Sequence, residues 1–213
     1  MSTIPSDFES MLSRLKIKAL NEMQLASIDT MQTNDSVVLL SATGSGKTLA
    51  FLLPIYQLID PERTQTQALI IVPSRELALQ IESVFKSLGT NLKVTCCYGG
   101  HLRETEENNL KQAPYLIIGT PGRLADHIRR GNIQTDTIQM LVLDEFDKSL
   151  ELGFQDEMAF IIGSLSSLQK RLLISATEAV EVPEFIGLEN PVRLNFLNAT
   201  DQDTGLAIKA VYS

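Results

Sequence analysis

The sequence predicts a three-layer α/β domain built on a parallel sheet, and three observations predict it. Seven apolar runs of strand length alternate with amphipathic stretches of helix length, as in repeated strand–helix–strand units. Most of the runs carry no polar alternation, so both faces of each strand are covered. The chain has 213 residues, 44% hydrophobic and 21% charged. That is about one domain's length with room for a tail, and enough apolar surface for a core without disulfide or metal staples.

Two short helices are expected before any strand. Ser6 with Glu9 three residues on has capping-box spacing and sets Phe8, Leu12 and Leu15 on one face. Asn21 can cap a second helix with Gln24 at its third position, turning Ile28 and Met31 inward. Strands are then expected at 37–40, 68–72, 92–98, 115–118, 140–143, 171–174 and 192–196. Helices are expected at 47–58, 76–88, 102–110, 123–130 (stopped by Gly131), 156–165 and about 182–188. Residues 198–205 turn polar, as linkers do, and 206–212 begin an apolar pattern with no room to finish. The expected organisation is an N-terminal helical segment at 1–35, a nucleotide-binding domain at 36–197, and a linker leading into a further domain at 198–213.

Several classes are excluded. No apolar stretch approaches the ~20 residues that span a bilayer, and residues 1–8 lack a basic-then-apolar export pattern. Cys96 and Cys97 are adjacent, too few for a disulfide framework and wrongly spaced for zinc. They read as small core residues, and a reducing, cytoplasmic setting with a monomeric chain is expected.

Two motifs carry chemistry. Ser41-Ala42-Thr43-Gly44-Ser45-Gly46-Lys47-Thr48 follows the first strand and opens a helix. Gly44 and Gly46 allow the tight turn that aims backbone N–H groups into one concavity. Lys47 then reaches the outer phosphates of a nucleotide such as ATP, and Thr48 ligates Mg²⁺. Ser41 stands where the strict phosphate-loop pattern has glycine, and a small residue still fits. Second, Leu141-Val142-Leu143 runs directly into Asp144-Glu145-Phe146-Asp147. That places carboxylates at the C-terminal end of a buried strand, where open α/β sheets bind ligands. Asp144 is suited to hold Mg²⁺ through water, and Glu145 to orient or deprotonate the attacking water.

With these two motifs in place, the chain resembles the first RecA-like domain of the DEAD-box RNA helicases, over essentially its whole length. Further landmarks follow in the family's order: Pro73-Ser74-Arg75-Glu76-Leu77-Ala78, Gly99-Gly100, Thr120-Pro121-Gly122-Arg123, Leu150 to Phe154, and Ser175-Ala176-Thr177. The resemblance implies a RecA-like P-loop NTPase fold that uses ATP and Mg²⁺. It also implies RNA contacts at Ser74, Arg75, Gly99, Gly100, Thr120, Pro121, Gly122 and Arg123, and coupling of Asp147 with Ser175 and Thr177. Gln24 matches the family's adenine-reading glutamine, although Leu20, Asn21 and Glu22 replace the usual Pro-Thr-Pro. Phe8 falls one residue short of the family's aromatic-to-glutamine spacing. Phe146 replaces the usual alanine, so a bulky ring must find space beside the acids.

Eighteen Lys and Arg against 26 Asp and Glu leave a net charge of −8, which at first sight argues against RNA. The RNA-assigned residues, however, lie where strands end and helices begin, so backbone N–H groups can hold phosphates without formal charge. Arg75 and Arg123 add local positive charge there. Glu104, Thr105, Glu106 and Glu107 are expected to form a solvated helix face, and His127 to be a surface or packing residue. Arg129 and Arg130 suit a helix C-terminus as well as they suit RNA.

The resemblance implies the ATP- and RNA-binding half of a helicase, completed by arginine fingers from a second RecA-like domain. No Arg-x-Gly-Arg-like segment is present, so this chain is expected to bind ATP with scarcely any turnover. A DNA-directed ATPase and a nucleotide-dependent RNA-binding adaptor without turnover remain the alternatives.

Overall fold

A computed structural model of the chain describes residues 6–100, 102–178 and 181–197. His101 and the expected linker at 198–213 lie outside the described residues. Among the described residues the strands are β1 (Ser36–Ser41), β2 (Ala68–Ile71), β3 (Val94–Cys97), β4 (Leu116–Gly119), β5 (Met140–Leu143), β6 (Lys170–Ser175) and β7 (Val192–Phe196). They form one sheet in the order β3-β4-β2-β5-β6-β1-β7, parallel at every pairing. All C-terminal strand ends therefore share one edge.

Alternate residues of each inner strand enter two separate cores. Val37 and Leu39 of β1, Ile70 of β2, Val142 of β5 and Ile174 of β6 face one core. Val38, Leu40, Leu69, Leu141 and Leu173 face the other. Burial on both sides explains why these strands read as unbroken apolar runs.

The first core is covered by α1 (Ser6–Arg14), α2 (Glu22–Thr33), α3 (Lys47–Leu58) and α4 (Arg75–Ser87). The second lies beneath α6 (Pro121–Arg129), α7 (Phe146–Glu151) and α8 (Gln155–Gly163), while α5 (Arg103–Leu110) joins β3 to β4. Asn21 and Gln24 form the expected capping box at the start of α2. Pro54 lies inside α3 and cannot donate to the Ala50 carbonyl; the Ser27 hydroxyl of α2 donates to that oxygen instead, at 2.7 Å.

The structure departs from sequence expectation at several elements. Helix α6 begins at Pro121 rather than 123, because proline suits the first helical position. The strand expected at 92–98 is only Val94–Cys97. A helix not anticipated, α7, follows the acids directly. The helix expected near 182–188 is a single 3₁₀ turn, Glu184–Ile186, bounded by Pro183 and by Gly187 at φ 65°.

Candidate functional site

The phosphate loop leaves β1 between two anchors. Ser41 is fully buried, and its hydroxyl lies 2.6 Å from that of Ser45, so the serine in the glycine position closes the loop from inside. Helix α2 holds the loop from the other side. The Asn21 amide donates to the Ser45 carbonyl at 3.2 Å, and the Gln24 amide donates to the Gly46 carbonyl at 3.1 Å. Gly44 and Gly46 have φ of 81° and 85°, the left-handed region that favours glycine. Ala42, Thr43 and Gly44 are exposed, Thr48 is half-buried, and Lys47 begins α3. In that first turn the Leu49 N–H donates to the Gly46 carbonyl at 3.2 Å, while the N–H groups that open a helix, here those of Lys47 and Thr48, have no acceptor within it, which suits an anion.

Lys47 is buried at 8% exposure, and its ammonium is buried without a hydrogen-bond partner. Across the end of β6, which separates β1 from β5, stands Asp144, also buried. Two strand spacings put these ends about 10 Å apart, a gap that side chains can close from both sides. Burial pushes the Asp144 carboxyl up to about 6, against the pull of the nearby Lys47 ammonium, with Glu145 and Asp147 adding repulsion. The Asp144 carboxylate accepts the Glu145 N–H at 2.9 Å. Glu145 is half-buried with φ 48° and ψ 50°. A non-glycine residue held there stores local strain, of a kind that recurs at functional sites.

Phe146 is fully buried and belongs to the second core, so the bulky ring points beneath α7, away from the acids' edge. Asp147 is buried and accepts the Thr177 hydroxyl at 3.4 Å; its other oxygen is buried without a hydrogen-bond partner. Ser175 ends β6, and its hydroxyl donates to the Thr177 carbonyl at 2.9 Å while accepting the Thr177 N–H at 3.1 Å. Asp147, Ser175 and Thr177 thus meet at the strand between the loop and the acids. An unpartnered ammonium beside buried carboxylates fits a triphosphate. The Thr48 hydroxyl and Asp144 carboxylate are hard oxygen donors that fit Mg²⁺. Two surface cavities, of about 340 and 380 Å³, are lined by Leu110, Pro114 and Ile133 and by Phe8, Tyr56 and Leu92. Both sit toward the opposite sheet edge.

The residues assigned to RNA occupy the other half of the same edge, at the ends of β2, β3 and β4. Ser74 caps α4 by accepting the Leu77 N–H at 3.2 Å, a role that uses one lone pair of its hydroxyl and not its O–H. Arg75 is exposed, with its guanidinium 5.0 Å from the Tyr98 ring centroid. Gly99, Gly100 and Gly122 are exposed, Thr120 is half-buried, and Pro121 is buried at the start of α6. Arg123 is not an open charge: its Nε donates to Glu106 at 2.6 Å.

One sequence reading is corrected here and two others are made specific. Glu106 is not part of a solvated face; it is 1% exposed, bound by Arg123 and His127. His127 is fully buried, and its acidic partner lies 21 residues away, on α5. Phe8 packs in the core against Tyr56, at the end of α3 remote from the phosphate loop by about 13 Å of helix. It is therefore no platform for a base. The Gln24 amide bridges Asn21 and the loop, retaining one oxygen lone pair and one N–H for a further partner. Arg130 pairs with Asp126 at 2.9 Å and Arg129 lies over Phe160, both at the C-terminal end of α6 away from the edge. As expected, the cysteines are free, Cys97 buried and Cys96 half-buried. Among the described residues no helix is long and apolar enough to cross a membrane.

Comparison with known proteins agrees with this arrangement. Residues 21–185 match the family described as DEAD/DEAH box helicase. The chain is 36% identical over 176 residues to the DEAD-box ATP-dependent RNA helicase CshA of Bacillus subtilis, an alignment covering 82% of this chain and 36% of the relative. It is 43% identical over 162 residues to the ATP-dependent RNA helicase DRS1 of Coccidioides immitis, covering 72% of this chain and 19% of that protein. The crystal structure of a hypothetical ATP-dependent RNA helicase from Sulfolobus tokodaii superposes with a TM-score of 0.75 at 31% identity, covering 86% of this chain and 53% of that one. The chain thus spans well under half the length of these curated relatives. With the phosphate loop, the acidic strand end and the Ser175–Thr177 turn gathered on one sheet edge, and with that match across most of its length, this chain belongs to the DEAD/DEAH box helicase family.

Proposed function

We propose that the chain is the N-terminal, ATP- and RNA-binding half of an ATP-dependent RNA helicase, one that couples ATP hydrolysis to unwinding or remodelling of RNA duplexes. The observation that carries this reading is the buried, unpartnered Lys47 ammonium facing the Asp144 carboxylate across β6. Lys47 and the N–H groups of residues 43–48 hold the phosphates. Thr48 and Asp144 hold Mg²⁺, which when bound offsets charge on the phosphates. Glu145 orients the attacking water and accepts its proton. Gln24 reads adenine with its remaining donor and acceptor. Asp147, Ser175 and Thr177 pass the nucleotide state toward the RNA half of the edge. RNA is held mainly through phosphates, by N–H groups at the starts of α4 and α6 and at Gly99 and Gly100, with Arg75 beside them. A second RecA-like domain of the full-length protein supplies the arginine fingers, in a cytoplasmic setting that keeps both cysteines reduced.

The test is titration of the chain with a fluorescent ATP analogue. Lys47→Ala is expected to weaken binding at least tenfold, because it removes a charge-assisted contact to phosphate. Glu145→Gln is expected to leave binding within about twofold, since the water-orienting role acts after binding. Indifference of the parent chain to adenine nucleotides would reject the reading.

A further inference from the structure

Two of the three RNA-assigned segments are tied together by one carboxylate, and the third reaches them through the Tyr98 ring. Glu106 of α5 is 1% exposed. Its Oε1 accepts the Tyr98 backbone N–H at 2.8 Å, at the entry to Gly99 and Gly100. Its Oε2 accepts from the Arg123 Nε at 2.6 Å and lies 2.6 Å from the His127 Nε2. The His127 Nδ1 is 3.0 Å from the Asn132 amide nitrogen. With that amide donating, Nδ1 is the acceptor, so Nε2 carries the proton and donates to Glu106. The Tyr98 ring in turn carries the Arg75 guanidinium. Segments leaving β3 and β4 thereby meet at a single buried acid, and the segment leaving β2 joins them through the Tyr98 ring.

A carboxylate is tolerated at such burial only when its oxygens are paired, and here hydrogen bonds reach both. Cys97 brings its sulfur near Glu106 and His127, all within 4.8 Å. The same Glu106 oxygen already accepts from Arg123, so the group is a hydrogen-bond network rather than a metal centre.

We propose that Glu106 is a positioning residue for RNA binding. Its carboxylate sets the Tyr98–Gly100 turn against the N-terminus of α6 and keeps Arg123 in an internal ion pair. Phosphates at this edge are then held by backbone N–H groups, and the Arg123 charge is not among their partners. The inference rests on the RNA-binding reading above.

The test measures binding of labelled single-stranded RNA to the chain saturated with a non-hydrolysable ATP analogue, at several salt concentrations. Glu106→Gln keeps the side-chain volume, can still accept the Tyr98 N–H, and can donate to His127 after a tautomer change, but it removes the Glu106 charge from the Arg123 pair. RNA affinity is expected to fall about tenfold, with nucleotide affinity unchanged. Adding Arg123→Gln is expected to weaken binding no further, because the two residues act as a unit. Arg123→Gln alone is expected to weaken RNA binding while leaving the salt slope unchanged, since no phosphate counterpart is lost. That variant decides the matter if Glu106→Gln fails to fold. Glu106→Gln binding RNA as well as or better than the parent, or a slope reduced by about one in Arg123→Gln, overturns the proposal. A parent chain that binds nucleotide but not RNA overturns the RNA-binding reading instead.

Discussion

Burial pushes the Asp144 carboxyl up to about 6, and the favourable Lys47 ammonium does not fully offset that cost. The unfolded chain holds the same carboxyl near its ordinary value of 3.8. Between about pH 4 and 6 the folded state therefore binds more protons than the unfolded one, and folding stability falls as pH rises through this window. Above it the ionised acid costs roughly 3 kcal/mol. Asp144→Asn removes that cost while its side-chain oxygen can still accept the Glu145 N–H. The variant is expected to melt several degrees higher at pH 7.5 and to lose this part of the pH dependence, which paired thermal melts from pH 4 to 8 would measure. Glu106 has the opposite sign: burial raises its pKa, but hydrogen bonds from His127, the Tyr98 N–H and Arg123 outweigh burial and leave it below the usual carboxylate range. Its stabilisation is present at neutral pH and is lost as pH falls through the lowered folded value. A melt of Glu106→Gln should lose that acid-side decline.

At the scale of elements, α2 and the phosphate loop act as one part. The Asn21 and Gln24 side chains complete a helix cap and bind loop carbonyls with the same two amides. Gly46→Ala meets two obstacles: φ 85° disfavours any side chain, and the added carbon would stand 2.8 Å from the Gln24 amide nitrogen. It is expected to cost about 1–3 kcal/mol and most of the nucleotide affinity. Asn21→Ala removes the cap and the bond to the Ser45 carbonyl but leaves the Gln24 bridge to Gly46, at about 1 kcal/mol. Melts with and without an ATP analogue separate the two. The capping box was legible because both partners lie within four residues, and α3 because glycine and a buried apolar stripe mark its limits. Helix α7 was not legible, since its six residues begin inside the acidic motif. The Glu106–His127 pair was also hidden, because only the packing of α5 against α6 brings together residues that look solvated in their own helix. Arg123 likewise reads as an open charge until its partner on another element is seen. The phosphate loop and acids were legible as motifs, whereas the bridging of the loop by Gln24 required the tertiary fold.

For the whole molecule, the sheet order separates two sets of motifs along one edge: β5, β6 and β1 end at the nucleotide motifs, β3, β4 and β2 at the RNA-assigned ones. The boundary between β2 and β5 is a direct pairing, so a shift at the acids has a short route to Ser74 and Arg75. The nucleotide half is an open shelf. Ala42, Thr43 and Gly44 are exposed, and the described residues supply no arginine opposite Lys47 to stabilise charge developing on a transferred phosphate. A finger of that kind is worth about 10³ to 10⁵ in rate, and an open shelf does not exclude water from the reacting groups. On the proposed reading, the 213-residue chain is therefore expected to bind ATP yet hydrolyse it at least about 10³-fold more slowly than the same chain joined to a second RecA-like domain, under saturating RNA. Adding a separately produced second RecA-like domain should restore the rate. Steady, RNA-stimulated phosphate release by this chain alone, abolished by Glu145→Gln, would show instead that the half-site is catalytically complete.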